Sequence, residues 1–117
     1  MKKNKITFWG VRGSFPTPDK DKMKFGGHTS CVSIETKEEI LIMDMGTGLK
    51  NLGDEIISNP NSPSKINIIL SHYHWDHVIG FPMFAPLFSD KYEINIYGKK
   101  DELELKKIIN HMLNPIF

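Results

Sequence analysis

Apolar residues in this chain fall first in short runs and later at spacings of three and four, a pattern that predicts strands exchanging with helices. Residues 5–9 alternate and stop at Gly10, predicting a first strand that opens into a turn-rich loop with Gly13, Pro16 and Pro18. A charged stretch over 19–24 leads to Gly26-Gly27. Two strands are expected at 30–36 and 40–43, joined by the polar connection Lys37-Glu38-Glu39. Asp44-Met45-Gly46-Thr47-Gly48 ends the second of these and opens a helix over 49–57, and the prolines at 60 and 63 mark 58–64 as a loop. Residues 66–70 (Ile-Asn-Ile-Ile-Leu) scarcely alternate, as expected of a strand covered on both faces. Residues 78–87 read as a short helix or an irregular apolar loop, limited by Pro82 and Pro86. A strand over 92–97 and a helix over 100–113 complete the pattern. The apolar stripe of that helix is Leu105, Ile108, Ile109 and Met112, which leaves His111 on the solvated side. Without repeats, low-complexity tracts or linkers, this order indicates one α/β layered domain.

The chemistry is concentrated directly after the run 66–70, in Ser71-His72-Tyr73-His74-Trp75-Asp76-His77, which holds three of the five histidines. On an extended strand end residues two apart point to the same side, so His72 and His74 can grip one metal together. Asp76 and His77 lie where the chain turns and can face a second metal about 3.5–4 Å away, the spacing of two-metal sites. Imidazole and carboxylate suit zinc, and also iron or manganese.

Composition narrows the setting. Hydrophobic content of 39% and charged content of 25% describe an ordinary globular chain, and a net charge of +1 gives no global field towards membrane or nucleic acid. The basic start is followed by too few apolar residues for a secretory signal, and the apolar stretch 79–88 is broken by Gly80, Pro82 and Pro86, far short of a membrane span. The single Cys31 permits no internal disulfide and fits the reducing cytoplasm; within Thr29-Ser30-Cys31-Val32-Ser33-Ile34 it reads as a small buried strand residue.

The histidine run with its continuation Val78-Ile79-Gly80-Phe81-Pro82 resembles the signature loop of the metallo-β-lactamase-fold hydrolases. Three further segments agree: Phe8-Trp9-Gly10-Val11-Arg12-Gly13-Ser14-Phe15-Pro16-Thr17-Pro18, Gly26-Gly27-His28-Thr29-Ser30-Cys31-Val32, and Leu41-Ile42-Met43-Asp44-Met45-Gly46-Thr47-Gly48. They resemble a branch described as phosphoribosyl 1,2-cyclic phosphodiesterase-like, akin to the tRNA 3′-processing endonuclease and cyclic-nucleotide phosphodiesterase branches. The resemblance implies the N-terminal half of an αββα sandwich, a mixed sheet with helices on one face, with 1–117 forming a partial domain.

It further implies two divalent metal ions, zinc first with manganese or iron as alternatives. His72 and His74 would hold one, Asp76 and His77 the other, and a metal-bound hydroxide would attack a phosphodiester. Asp76 would also act catalytically, orienting the hydroxide or taking a proton. Asp44 would brace the histidine loop and fix imidazole tautomers, its alternative role being a helix N-cap. His28, Thr29 and Ser30 are candidate substrate contacts, with His28 standing where the branch commonly has Asn, and Arg12 a candidate for pairing with phosphate. The family's remaining ligands, a third histidine, a bridging aspartate and a last histidine, have no counterpart in context among His111, Asp90 and Asp101. Three functions therefore stand beside one another: a phosphodiesterase acting on a small phosphodiester, nucleotide-like substrate or nucleic acid; a thioester, lactam or di-iron chemistry on the same fold; and an inactive partial chain. Against the di-iron variant stands His74, where Glu is typical. A homodimer could donate missing groups, with His111 the only histidine left to give.

Overall fold

The computed structural model describes residues 4–99 and 101–114. Five strands form one mixed sheet in sequence order: β1 (Lys5–Gly10), β2 (Cys31–Glu35), β3 (Glu39–Met43), β4 (Lys65–Ile69) and β5 (Glu93–Tyr97). The first three run antiparallel, and β3, β4 and β5 run parallel. Parallel neighbours need a crossover between them. Helix α1 (Leu49–Ser58) supplies the first; the second is made of three short 3-10 turns, Trp75–His77, Phe81–Met83 and Ala85–Phe88. The expected apolar segment after the histidines is therefore neither one helix nor fully irregular, because Pro82 and Pro86 break it into single turns. Helix α2 (Glu102–Met112) follows β5, with Asp101 as its N-cap accepting from the Glu104 N–H at 2.9 Å. The expected start of this helix at Lys100 lies outside the described residues.

Strand register sorts the side chains onto two faces. Ile40 and Ile42 stand beside Ile66 and Ile68, which stand beside Ile94 and Ile96. Against this row pack Leu49, Leu52 and Ile56 of α1, Phe81 and Phe84 of the 3-10 segment, and Leu105, Ile109 and Met112 of α2. Both helices thus cover the same face, as the sequence pattern implied. The opposite face carries Ile6, Phe8, Met43, Ile69 and Tyr97, and here Phe8 is 70% and Ile69 43% exposed. The unbroken apolar character of 66–70 is thus not matched by cover on both sides: β4 buries Ile66 and Ile68 while Ile69 stays open. Among the described residues no helix is long and apolar enough to cross a membrane.

Cys31 closes the site end of β2 and is fully buried and unpaired. Burial, and secondarily the nearby Asp44 carboxylate, push its thiol up to about 12. Since the thiolate is the reactive form, Cys31 is expected to resist a thiol reagent such as dithionitrobenzoate at pH 8 in the folded chain. It should react stoichiometrically once the chain is unfolded in guanidinium. Fast reaction of the native protein would contradict the packing described here.

Candidate metal centre

Because β3 and β4 are parallel, the segments that leave them emerge at the same edge of the sheet, where open α/β sheets place their ligands. The first residue past β3 is Asp44, in the left-handed region at φ 67°, with its N–H bonded to Ile69 O at 2.9 Å. This conformation turns its carboxylate onto the start of the histidine loop. There it accepts the Ser71 backbone N–H at 2.8 Å and the Ser71 hydroxyl at 2.8–2.9 Å. Asp44 does not cap α1, whose N-cap is Gly48 without a side-chain bond. The expectation that Asp44 faces the histidine loop matches its geometry; the helix-cap alternative does not.

Ser71 forms the link between carboxylate and imidazole. Its Oγ lies 2.9 Å from His72 Nδ1. The single hydroxyl proton is spent on Asp44, so Ser71 accepts from His72 Nδ1–H. That tautomer leaves the lone pair on Nε2, ready for a metal. A serine placed between a buried strand end and a ligand-type histidine is the signal that could have revealed this.

The other donors gather around His72. Its ring centroid is 4.5 Å from that of His74 and 4.0 Å from that of His77. His77 sits between two carboxylates, Nδ1 at 3.1 Å from Asp44 Oδ2 and Nε2 at 3.3 Å from Asp76 Oδ2. The Nδ1 contact is close but poorly aligned, so this nitrogen is buried without a directed hydrogen bond. His74 is exposed, at the N-terminal flank of the turn Trp75–His77. Among the described residues no three His, Cys, Asp or Glu side chains have their donor atoms placed around one point. The donor set still fits a divalent metal in kind: three imidazoles and a carboxylate meet at one sheet edge.

The neighbouring loops lock this arrangement from below. Met45 N–H bonds His77 O at 2.8 Å, Gly80 N–H bonds Met45 O at 2.8 Å, and Gly46 N–H bonds Ser30 O at 2.9 Å. Thr29 and Thr47 exchange backbone-to-hydroxyl bonds, each at 2.8 Å. Thr29 is fully buried, so its hydroxyl ties two loops together and does not offer itself to a phosphate. Ser30 is half-buried. His28 is exposed and lies 3.2 Å from Thr47 Oγ1 and 3.4 Å from the Asn51 side chain. Arg12 is turned away from solvent phosphate: its guanidinium donates to the carbonyls of Lys22 and Gly26 at 3.0 and 3.2 Å, pinning the loop between them. His111 is exposed in the last turn of α2, as its place off the apolar stripe implied, and Asp90 is exposed.

The loop after β1 reaches over the centre, a feature that periodicity could not show. Ser14, at φ 66°, donates its N–H to Asp76 Oδ2 at 3.1 Å. The next residue, Phe15, stacks on Trp75 with ring centroids 6.0 Å apart.

The mixed sheet with helices on one face and the histidine cluster at its parallel edge form part of a metallo-β-lactamase fold. Over 114 residues it is 37% identical to ribonuclease Z of Methanococcus maripaludis (strain C7), covering 94% of this chain and 33% of the relative. It is 30% identical over 111 residues to ribonuclease Z of Pyrococcus abyssi, covering 90% and 33%. Among solved structures it is similar to the metallo-β-lactamase fold protein YhfI from Bacillus subtilis, with TM-score 0.65 and 26% identity over 91% of this chain and 41% of that one. A diphosphatase of the PhnP family shares the fold at TM-score 0.63 and 16% identity, covering 97% and 47%. No family model matches the chain. The chain spans about a third of the length of the curated relatives it matches.

The loops at the centre approach too closely for any side chain at Gly80, where a Cβ would meet Gly46 O at 2.0 Å. Gly80→Ala is therefore expected to destabilise the chain by about 1–3 kcal/mol or more. Gly13→Ala, where a Cβ meets nothing within 4 Å, should change stability by less than about 0.5 kcal/mol. Denaturant titration of the two variants checks this; equal stabilities would contradict the close packing of the two loops.

Proposed function

We propose that this chain carries the metal-gripping part of a metal-dependent hydrolase that cleaves phosphodiesters of the nucleic-acid type. The observation that supports this most directly is the chain of bonds from His72 Nδ1 through Ser71 to the buried Asp44, which leaves His72 Nε2 free to ligate. His72 and His74 would hold one divalent ion, and Asp76 and His77 a second. Zinc suits the donor set best, with manganese and iron as alternatives. When bound, such a pair supplies Lewis-acid polarisation of the phosphoryl group and a nucleophile from water at neutral pH. The protein's own groups orient and hold. Asp44 and Ser71 set the tautomer of His72, and Asp76, itself held by the Ser14 N–H, is the carboxylate placed to orient the attacking water or take its proton.

The relatives named ribonuclease Z make RNA the first substrate to test, with a smaller nucleotide-like phosphodiester as the alternative. Further ligands would come from residues outside this chain, since the curated relatives extend well beyond the part it matches. A cytoplasmic location suits the single unpaired Cys31. The protein containing these residues is expected to hydrolyse bis-p-nitrophenyl phosphate and an RNA oligonucleotide. Activity should vanish with a chelator, return on adding zinc or manganese, and fall by 100-fold or more (about 3 kcal/mol, as for loss of one transition-state-stabilising group) in His74→Ala. Turnover insensitive to chelator, or confined to lactams and thioesters, would overturn the proposal.

The open apolar face of the sheet, with Ile6 and Phe8 exposed, is proposed to be covered in the whole protein or paired between copies when 1–117 stands alone. Size-exclusion chromatography of 1–117 should show self-association, reduced by Phe8→Lys. A clean monomer over a wide concentration range would contradict this.

A further inference from the structure

We infer that Phe15 and Trp75 form a stacking platform for the base of the nucleotide whose phosphate reaches the histidine cluster; the inference rests on the phosphodiesterase proposal above. The two rings lie 6.0 Å apart with planes inclined by 21°, an offset stack. They remain 64% and 52% exposed, so ring surface is open to a ligand.

Their attachment to the centre is what makes the pair more than a surface contact. Trp75 opens the same 3-10 turn that carries Asp76 and His77, so its ring is one residue from the proposed ligands. Phe15 follows Ser14, whose N–H is bonded to Asp76 Oδ2 at 3.1 Å and whose backbone is held at φ 66°. For a non-glycine residue that conformation costs free energy, and it persists where the surroundings enforce it. Both rings are therefore carried on segments tied to the Asp76 carboxylate, one by sequence and one by a hydrogen bond. Beyond Phe15 the loop continues as Pro16, which with Pro18, Met23 and His28 lines an apolar groove of about 560 Å³.

The chemistry that fits is an aromatic heterocycle attached through a sugar to a phosphate. Every base has a π-face, so stacking of this kind tolerates different sequences and adds affinity to a phosphate that metal ligands already hold. Little in the sequence pattern alone points to the pair, because Phe15 and Trp75 stand sixty positions apart in two different loops.

Calorimetric titration of the zinc-loaded protein with adenosine 5′-monophosphate and with ribose 5-phosphate separates base from phosphate. The platform predicts that the nucleotide binds about tenfold or more tightly than the sugar phosphate. The double variant Phe15→Ala/Trp75→Ala should erase this preference by weakening the nucleotide alone, and Trp75→Phe should retain most of it. A variant that merely disturbed the loop would weaken both ligands together. His74→Ala should weaken both equally and leave their ratio unchanged. If His74→Ala affects neither ligand while the base preference persists, the platform stands and the phosphodiesterase proposal fails. Equal affinities in the unaltered protein, no measurable binding of either ligand, or a preference that survives the double variant would overturn the platform.

Discussion

Asp44 leaves β3 in a left-handed conformation and accepts both the backbone N–H and the hydroxyl of Ser71, and the geometry of the centre depends on those bonds. A non-glycine residue held there costs about 1–3 kcal/mol. Each hydrogen bond to a charged acceptor contributes about 1.5–3 kcal/mol, so two of them offset that cost. The carboxylate is nearly buried, which makes an unpaired Asp44 expensive and keeps Ser71 in place. Ser71 in turn decides which nitrogen of His72 is free. A single backbone torsion is thus transmitted, through two side chains, to the electronic state of a ring.

The sheet provides the rigid base for this chain of contacts. Parallel pairing of β3 with β4 brings the D-x-G-x-G segment and the histidine loop to one edge, and Gly80 lets their backbones touch, while Gly46 and Gly48 do the same against Thr29 and Trp9. Buried Thr29 and half-buried Thr47 bind the segment before β2 to the segment after β3. The functional edge is therefore polar and closely stitched, whereas the free face of the sheet is apolar and open.

Much of this was legible in the residues. The strand and helix positions follow the apolar spacing to within a residue or two, since alternation and 3.6-residue periodicity report burial on one face. The histidine run announced a cluster because imidazoles seldom crowd into seven positions without a shared purpose. The apolar run 66–70 reports the faces a strand can bury; in this chain the helices cover one of them, and the other stays open, as expected of a partial domain. Thr29 and Arg12 are candidate phosphate contacts by side-chain type, with backbone bonding and a surface arginine as their alternatives; here both bond neighbouring loops, whose proximity is a tertiary fact. The contacts of Ser14 with Asp76 and of Phe15 with Trp75 were out of reach for the same reason.

The central claim is that His72, His74, Asp76 and His77 bind divalent metal with His72 ligating through the nitrogen that Ser71 leaves free. Optical titration with cobalt(II), a stand-in for zinc with visible ligand-field bands, tests it without depending on turnover. The account predicts bands of a nitrogen–oxygen site that saturate on binding and are displaced by zinc. They should be strongly weakened in His72→Ala and His74→Ala, and shifted to lower affinity, about 10–100-fold, in Ser71→Ala. Bands indifferent to these substitutions, or no cobalt binding by the unaltered protein, would contradict it.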